Sequence, residues 1–356
     1  MQYRTMPGTG DKISVLGFGC MRLPTESGSK SYGADILKEE AARQIHLAID
    51  GGVNYLDTAQ PYHEGNSESF LGDYVLKDGY REKVYLATKL PCWLINTYED
   101  MEYQFSQQLK RLRVDYIDYY MLHALDGKVW DKMYSLGVTD FMDSLLKDGR
   151  IRHIGFSFHG ILEDFKRITD AYNWNFTQVQ YNIIDEYFQA GIDGIKYAHA
   201  KNIGVIVMEP LRGGSLAEDI PDDVQNLYSS APVRRTPAEW ALRWVLNRPE
   251  VTLLLSGMNS QENILENIRV ASEAYPDSLS ENEVRMIEEV RKCYLSHGKC
   301  TECGYCMPCP AGIDIPDAMK NPDKNIKAAG LCLDCGVCET KCPQGIKIRE
   351  MLKKCG

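Results

Sequence analysis

Long hydrophobic runs are absent from this chain of 356 residues, and their absence argues against insertion into a membrane. No apolar stretch approaches the ~20 residues that a membrane-spanning helix needs. The longest apolar runs are residues 251–255 and 204–208. The first residues also lack the apolar stretch of a signal peptide. The sequence therefore predicts a cytoplasmic protein with no membrane partner.

An excess of positive charge is also lacking, because 40 Lys and Arg residues stand against 50 Asp and Glu residues, for a formal net charge of −10. This balance argues against a nucleic acid partner, since such binding relies on broad positive surfaces. The charge is uneven, however, and residues 291–356 carry 11 Lys and Arg against 7 Asp and Glu. We therefore predict two domains, over residues 1–285 and 286–356.

Eight short apolar runs, rich in β-branched and aromatic residues, recur along the first 260 residues. Most are apolar throughout, as is typical of parallel strands covered on both faces. Amphipathic helical patterns fill the gaps, among them residues 39–50 and a helix that begins at the capping box of Ser280 and Glu283. This alternation predicts an α/β fold, a (β/α)8 TIM barrel. The predicted strands are residues 13–21, 53–59, 84–90, 116–123, 151–157, 176–182, 204–210 and 251–257.

A third glycine is missing from residues 16–20, where an open doubly wound sheet usually carries a Gly-x-Gly-x-x-Gly turn. This absence favours the barrel over the open sheet. A barrel collects its chemistry at the carboxyl ends of its strands. The predicted strands end in polar side chains more often than packing alone explains. These side chains are Asp57, Lys89, His123, Ser157, Gln180 and Asn182.

Residues 52–62, together with Lys89 and His123 at the ends of later strands, resemble the aldo-keto reductase family. The resemblance covers roughly residues 1–275 and implies a catalytic tetrad of Asp57, Tyr62, Lys89 and His123. Reduction of a carbonyl by hydride transfer needs a proton donor at the developing alkoxide. The usual pKa of tyrosine is about 10, and a neighbouring ammonium group is expected to lower it. Tyr62 is therefore expected to be the general acid, with the other three tuning it.

The same resemblance implies a nicotinamide dinucleotide, either NADP(H) or NAD(H). Two positions depart from the family pattern, with Phe158 where an Asn is expected and Met208 where an aromatic ring is expected. Residues 256–268 also contain no Lys or Arg to hold a 2′-phosphate. The residues implied to bind the dinucleotide are Gly19, Cys20, Met21, Ser157, Gln180, Met208, Pro210, Leu211, Ser256, Gly257, Glu266 and Asn267.

Eight of the 12 cysteines lie between residues 300 and 342, in two runs that each end in Cys-Pro. The second run has the bacterial ferredoxin spacing, in which the fourth Cys binds the other cluster, and the first differs by one residue before its last Cys. Zinc is disfavoured, because its sites usually pair two separated Cys-x-x-Cys motifs. We expect a small ferredoxin-like α+β domain with two [4Fe–4S] clusters. The predicted ligands are Cys300, Cys303, Cys306 and Cys342 for one cluster, and Cys332, Cys335, Cys338 and Cys309 for the other.

The two cofactor types differ in how many electrons they move. Nicotinamide transfers two electrons as hydride and each cluster accepts one, so exchange needs a converter such as a flavin. Three functions therefore stay open. The first is an NAD(P)H-dependent reductase acting on a small-molecule carbonyl or alcohol. The second is a ferredoxin-like electron-transfer enzyme with weakened nicotinamide use and a partner protein, and the third is a non-enzymatic redox-sensing or partner-binding barrel.

Three further side chains lie near the predicted site in the sequence. Trp93, which follows the third predicted strand, is a candidate for the substrate pocket. His63 and His159 lie in predicted loops and are expected to be solvated surface residues.

Overall fold

The structure is a computed structural model that describes residues 1–26, 35–218, 220–297, 300, 304–320, 330–342 and 345–354. It divides into two compact units. The first is Met1–Pro210 with Ala238–Val284, and the second is Leu211–Pro237 with Arg285–Gly356. Each unit is a set of residues that lie close together in space, which differs from a continuous stretch of chain. The domain boundary after residue 285 therefore stays a prediction. Among the described residues, no helix combines the length and apolar character that a bilayer crossing requires.

An antiparallel hairpin, which the sequence did not predict, precedes the barrel. Its strands are β1 (Tyr3–Thr5) and β2 (Lys12–Ser14), and Tyr3 pairs with Ser14. The connection between them carries Met6, which packs fully buried among the residues of the barrel interior. Strands of three residues are too short for a periodic pattern to reveal them.

Eight parallel strands close into a barrel, and each overlaps one of the eight predicted runs. Strands that are consecutive in the chain are paired, and the last strand closes the barrel on the first. The predicted (β/α)8 TIM barrel is therefore confirmed. The strands are β3 (Leu16–Gly19), β4 (Tyr55–Asp57), β5 (Tyr85–Leu90), β6 (Ile117–Leu125), β7 (Ile151–Phe158), β8 (Phe176–Gln180), β9 (Gly204–Met208) and β10 (Leu253–Ser256).

The barrel interior changes from apolar to polar along each strand. Tyr55, Ala87, Met121 and Phe176 belong to one buried apolar cluster inside the barrel. Side chains two residues apart on a strand point to the same face. The residue two positions further along each strand therefore also faces inward, nearer the carboxyl end. These next residues are Asp57, Lys89, His123 and Gln178.

The helices begin and end close to the predicted positions where the sequence carries a cap. The Ser280 hydroxyl accepts a hydrogen bond from the Glu283 backbone N–H, while the Glu283 carboxylate accepts one from the Ser280 N–H at 2.7 Å. The helices are α1 (Lys38–Asp50), α2 (Ser67–Phe70), α3 (Tyr98–Leu112), α4 (Gly127–Ser135), α5 (Val138–Lys147), α6 (Leu162–Ala171), α7 (Gly191–Ala200), α8 (Asp222–Ser230), α9 (Pro237–Leu246), α10 (Gln261–Glu273), α11 (Glu281–His297), α12 (Ile315–Lys320), α13 (Val337–Lys341) and α14 (Ile348–Lys354).

The cysteine-rich part of the second unit has a small apolar core of its own. Each cysteine run is followed by the same pattern, Cys-Pro-x-Gly-Ile-x-Ile, at residues 309–315 and 342–348. All four isoleucines of this repeat are buried in one cluster, and α12 packs against α14. The repeat thus places two equivalent segments side by side, one after each cysteine run.

Candidate active site

Lys89, on β5, is the centre of a buried polar group inside the barrel. Its ammonium donates to Asp57 Oδ1 at 2.6 Å, to the Thr58 carbonyl at 2.9 Å and to the Tyr62 hydroxyl oxygen at 3.2 Å. An ammonium group has three N–H donors, so all three are used. The exposed fractions of the Lys89 and Asp57 side chains are 1% and 3%. The structure therefore brings three of the four predicted tetrad residues into direct contact.

Asp57 uses both of its carboxylate oxygens. Oδ1 accepts from Lys89, and Oδ2 accepts from the Gln178 amide nitrogen at 2.9 Å. A buried carboxylate is costly unless it is paired and hydrogen-bonded, and here it has both kinds of partner. Sequence reasoning missed Gln178, although its place two residues before Gln180 on the same strand face was a signal that it points inward.

The phenol of Tyr62 differs from expectation in its acidity. Burial, followed by the negative charge of Asp57, holds the pKa of Tyr62 well above its usual value, and Glu209 acts in the same direction. The expectation of a lowered pKa for Tyr62 is therefore wrong in its net direction, because burial outweighs the nearby ammonium. Tyr62 is consequently held in its protonated, proton-donating form.

His123, the fourth predicted tetrad residue, lies beside Tyr62 near the end of β6. The two rings meet edge to face with centroids 6.2 Å apart, and the His123 ring is also 5.0 Å from that of Trp93. Burial, and then the charge of Lys89, hold the pKa of His123 well below its usual value, so the ring is neutral. Within the described part of the chain, His123 Nδ1 has no hydrogen-bond partner. Trp93 itself is 49% exposed, which suits a residue at the edge of a pocket.

A second buried polar layer supports Lys89 from behind. Gln108, on α3, donates to the Lys89 carbonyl at 2.9 Å and to Glu68 at 2.8 Å. Glu68 is fully buried, and it also accepts from the Thr88 hydroxyl at 2.6 Å and pairs with Arg111 at 2.7 Å. Thr88 is thus held by Glu68 of α2, and the Lys89 backbone is held by Gln108 of α3. Both helices lie outside the strands of the barrel.

The turn that carries Tyr62 has an unusual backbone. Its next two residues, His63 and Glu64, both have left-handed φ angles, of 53° and 55°. The prediction of a solvated surface residue is wrong for His63, which is fully buried and accepts a hydrogen bond from the Leu23 N–H at 3.1 Å. His159 is half-buried, and burial lowers its pKa to about 4. Left-handed non-glycine residues are uncommon, and no periodic sequence signal marks them.

The residues predicted to hold the nicotinamide lie on neighbouring strands, but their polar atoms are bonded within the protein. Ser157 accepts from the Ala124 N–H at 2.7 Å, and the Gln180 amide nitrogen donates to Asp185 at 2.7 Å. Phe158, which stands where the family has Asn, is fully buried. Met208 is half-buried and pairs with Gln180 across the β8–β9 ladder.

Two of the residues predicted to hold the rest of the dinucleotide are hydrogen-bonded to each other. Asn267, on α10, donates to the Ser256 hydroxyl at 3.0 Å, and both side chains are buried. The loop from Gly257 leads to the amino terminus of α10, which Ser260 caps. A helix amino terminus after the last strand of a barrel favours phosphate groups, so this end fits a dinucleotide. Of the remaining predicted residues, Cys20 and Pro210 are buried, and Gly19, Met21, Leu211 and Glu266 are half-buried.

The predicted cluster ligands that the structure describes all lie in the second unit. The eighth, Cys303, is outside the described residues. Cys309, Cys332, Cys335 and Cys338 line one cavity, whose walls include Ile313, Ile315 and Leu352. These four residues are the complete ligand set predicted for the second cluster, and thiols are the donors that such a cluster needs. Cys300, Cys306 and Cys342 pack against the same apolar core. Among the described residues, however, no three His, Cys, Asp or Glu side chains are grouped closely enough to hold a metal ion.

Residues 15–292 match the model of the aldo/keto reductase family, and residues 299–346 match that of a 4Fe-4S dicluster domain. The first match alone covers well over half of the chain. The second match spans all eight predicted cluster ligands, including Cys303.

Known proteins agree with the first match. Probable aldo-keto reductase 1 of Glycine max is 25% identical over 315 residues, which cover 79% of this chain and 86% of that protein. The holo form of the aldo-keto reductase AKR11C1 from Bacillus halodurans has a TM-score of 0.68 at 27% identity, covering 82% of this chain and 96% of that chain. An aldo-keto reductase from Klebsiella pneumoniae, in complex with NADPH, shares the fold, with a TM-score of 0.65 at 22% identity over 82% of this chain and 96% of that chain. This chain therefore belongs to the aldo/keto reductase family, as an NAD(P)H-dependent oxidoreductase with a 4Fe-4S dicluster domain at its carboxyl end.

Proposed function

We propose that the barrel interconverts carbonyl groups and alcohols on a small-molecule substrate, with Tyr62 as the general acid. The contact between the Lys89 ammonium and the Tyr62 hydroxyl oxygen, at 3.2 Å, carries this proposal. It supports the proposal because an ammonium that donates to a phenol oxygen stabilises the negative charge left when the phenol gives up its proton. Bound NADPH or NADH supplies the hydride.

Each tetrad residue has one task in this proposal. Tyr62 holds the proton that passes to the carbonyl oxygen, and burial keeps that proton in place until it is needed. Lys89 stabilises the resulting phenolate, and Asp57 holds the Lys89 ammonium in position by a direct hydrogen bond. Neutral His123 orients the carbonyl oxygen by a hydrogen bond, since its ring lies next to that of Tyr62.

The cofactor assignment extends to two clusters. We assign one [4Fe–4S] cluster to Cys309, Cys332, Cys335 and Cys338, which line one cavity. Cys300, Cys303, Cys306 and Cys342 would hold the other. The clusters supply one-electron transfer when bound, and an electron-transfer protein is their expected partner. A cytoplasmic location completes the proposal.

The test is Tyr62→Phe, measured in the fully cluster-loaded protein with NADPH or NADH and a panel of aliphatic and aromatic aldehydes. We expect the rate of reduction to fall about 10²–10⁴-fold, since this is the usual contribution of a general acid. Tyr103→Phe, at a residue that is 62% exposed, is the matched control and should keep the wild-type rate. An undiminished rate in Tyr62→Phe would show that the site assignment is wrong.

A second candidate function is an electron-transfer enzyme with weakened nicotinamide use. The internal bonds of Ser157 and Gln180, together with buried Phe158, favour it. An anaerobic visible spectrum, recorded before and after adding NADPH, separates the two candidates. An unchanged spectrum together with aldehyde reduction supports the first candidate. Clusters that bleach with dithionite but not with NADPH, in protein that reduces no aldehyde with NADPH, support the second.

A further inference from the structure

Arg349, on α14, lies at the cavity to which one cluster is assigned. Its side chain lines that cavity together with the four predicted ligand cysteines. The guanidinium carbon would be 3.5 Å from a Cβ atom added at Gly336, which has a left-handed φ of 74°. Gly336 follows Cys335 directly. The guanidinium group therefore lies against the backbone turn that carries one of the predicted ligands.

The three nitrogens of this guanidinium group differ in their partners. Nη1 donates to the Asp334 carbonyl and to Asp334 Oδ1, both at 3.3 Å, and Nη2 donates to Glu339 Oε2 at 2.8 Å. Nε is buried, and within the part of the chain that the structure describes it has no hydrogen-bond partner. A buried N–H without an acceptor is costly. A donor at the cavity is thus available to an acceptor that the described side chains do not supply.

A bound [4Fe–4S] cluster supplies acceptors of this kind, because its sulfur atoms carry negative charge. Hydrogen bonds to these sulfurs are among the features that set the reduction potential of a cluster. Reduction adds one electron and makes the sulfurs more negative, so a hydrogen bond to them becomes stronger. Such a bond therefore raises the reduction potential.

The charge of Arg349 is offset by its neighbours. Arg349 and Lys353 bring two positive charges, and their partners Asp334 and Glu339 bring two negative charges. The net charge of this group of four side chains is zero. Its effect on a nearby cluster is therefore expected to come from the Nε–H rather than from an excess of charge.

The first copy of the repeat carries no such donor. Arg349 follows the last isoleucine of the second Cys-Pro-x-Gly-Ile-x-Ile segment, and Pro316 stands at the same place after the first. Proline has neither a side-chain donor nor a backbone N–H. The position of Glu339 is likewise taken by Met307 in the first copy. The two halves of the repeat therefore share a scaffold but differ in this polar group.

We propose that Arg349 donates its Nε–H to a sulfur atom of the cluster held by Cys309, Cys332, Cys335 and Cys338, and that it thereby raises the reduction potential of this cluster alone. The Nε proton stays on Arg349 when the cluster accepts its electron. The inference rests on the proposed function, because it requires the two clusters assigned there.

The test uses the full chain with both clusters loaded, titrated with dithionite under anaerobic conditions and followed by electron paramagnetic resonance. Arg349→Met should lower the midpoint potential of one cluster and leave that of the other nearly unchanged. At a fixed potential, the ratio of reduced to oxidised cluster should fall about tenfold, which corresponds to about 59 mV for a one-electron couple. Two midpoints equal to those of the wild type would overturn the inference.

Two further variants separate the hydrogen bond from the charge. Arg349→Lys keeps the positive charge but removes the Nε–H, so it should lower the same midpoint about as much as Arg349→Met. Lys353→Met removes a positive charge from the same helix, where Lys353 pairs with Asp334 at 3.2 Å, and it should keep both midpoints. Wild-type midpoints in Arg349→Lys, or an equal shift in Lys353→Met, would show that charge acts instead and would overturn the inference.

A spectroscopic measurement on the wild type decides the question if the Arg349 variants lose their clusters. Arg349 is the only arginine in residues 292–356. In protein labelled with ¹⁵N at arginine alone, pulsed electron paramagnetic resonance of the reduced clusters should detect a ¹⁵N coupling. Wild-type protein with both clusters intact and no such coupling would overturn the inference, as would a coupling that persists in a cluster-loaded Arg349→Lys variant.

The outcomes separate this inference from the proposed function. If Cys338→Ala loses iron while the Arg349 variants keep both midpoints, only the role of Arg349 is overturned. If Cys338→Ala keeps the iron content of the wild type, the cluster assignment fails and this inference fails with it. The comparison of Tyr62→Phe with the wild type tests the barrel alone, and its outcome leaves this inference unchanged.

Discussion

The interior of the barrel and the cysteine-rich part of the second unit build their sites in opposite ways. In the barrel, the chain itself satisfies all three Lys89 donors and both Asp57 oxygens. In the second unit, four predicted ligand cysteines line a cavity, yet the described side chains form no group ready to hold a metal. The first site is thus preorganised by packing, whereas the second is expected to acquire its order with the metal, as metal-dependent small domains do.

Loss of a cluster ligand should have the largest effect, and it should be confined to the second unit. We expect Cys338→Ala to lower the iron content from about eight to about four atoms per chain, because one four-iron cluster is lost. Its carboxyl-terminal residues should become sensitive to protease. Iron analysis and limited proteolysis under anaerobic conditions measure both effects.

Cys293→Ala is the matched control, since Cys293 is a half-buried helix residue outside the predicted ligand set. It should keep the full iron content. Full iron content in Cys338→Ala, or unfolding of the barrel along with the tail, would break the distinction between the two regions.

Breaking the buried ion pair should have the next largest effect, and it should be confined to the barrel. Lys89→Met leaves Asp57 as an uncompensated buried charge, so we expect the free energy of unfolding of the barrel to fall by about 3–5 kcal/mol. Urea unfolding followed by circular dichroism measures it. Lys201→Met, which removes an exposed pair with Asp170, should leave the free energy of unfolding nearly unchanged. Equal losses in the two variants would show that the barrel site is not preorganised.

Acid should weaken the barrel through His159. Its pKa is lowered to about 4 in the folded protein by burial, whereas an unfolded chain has about 6.5. The unfolded state therefore binds more protons between these values, and stability is lost as the pH falls through this window. Between pH 6.5 and pH 4, the free energy of unfolding should fall by about 2 kcal/mol less in His159→Gln than in the wild type. Urea midpoints across that range measure it, and an unchanged slope would contradict the assignment.

The smallest predicted effect concerns the open edge of the barrel site. Because the exposed ring of Trp93 lies against His123, we expect Trp93→Ala to raise KM for an aromatic aldehyde about tenfold, which corresponds to about 1.4 kcal/mol, with kcat nearly unchanged. Steady-state kinetics at pH 7 measure both constants. Tyr103→Ala is the surface control. A fall in kcat without a change in KM would move Trp93 from the pocket edge into the catalytic arrangement.

The sequence could predict the barrel because continuous apolar runs and amphipathic helices alternate regularly, and each observed strand overlaps a predicted run. Polar residues at the ends of these runs also identified Asp57 and Lys89, which the structure joins at 2.6 Å. Gln178 was missed because its partner lies 121 residues away in the chain, and only closure of the barrel brings the two together. The acidity of Tyr62 was predicted in the wrong direction because the sequence names the neighbouring charge but does not reveal how completely the phenol is buried.

The bond between Gln178 and Asp57 also limits how such a barrel can be recombined. A (β/α)8 barrel cut after the fourth of its eight strands, which is β6 here, yields two half-barrels. Strand β4 then belongs to one half and β8 to the other. A chimera that takes its second half from a different barrel would keep Asp57, Tyr62, Lys89 and His123 from this chain. It would inherit whatever residue that barrel carries at the position of Gln178. Exchange of half-barrels should therefore preserve the fold while changing the orientation of Asp57, unless the incoming half also supplies an amide donor.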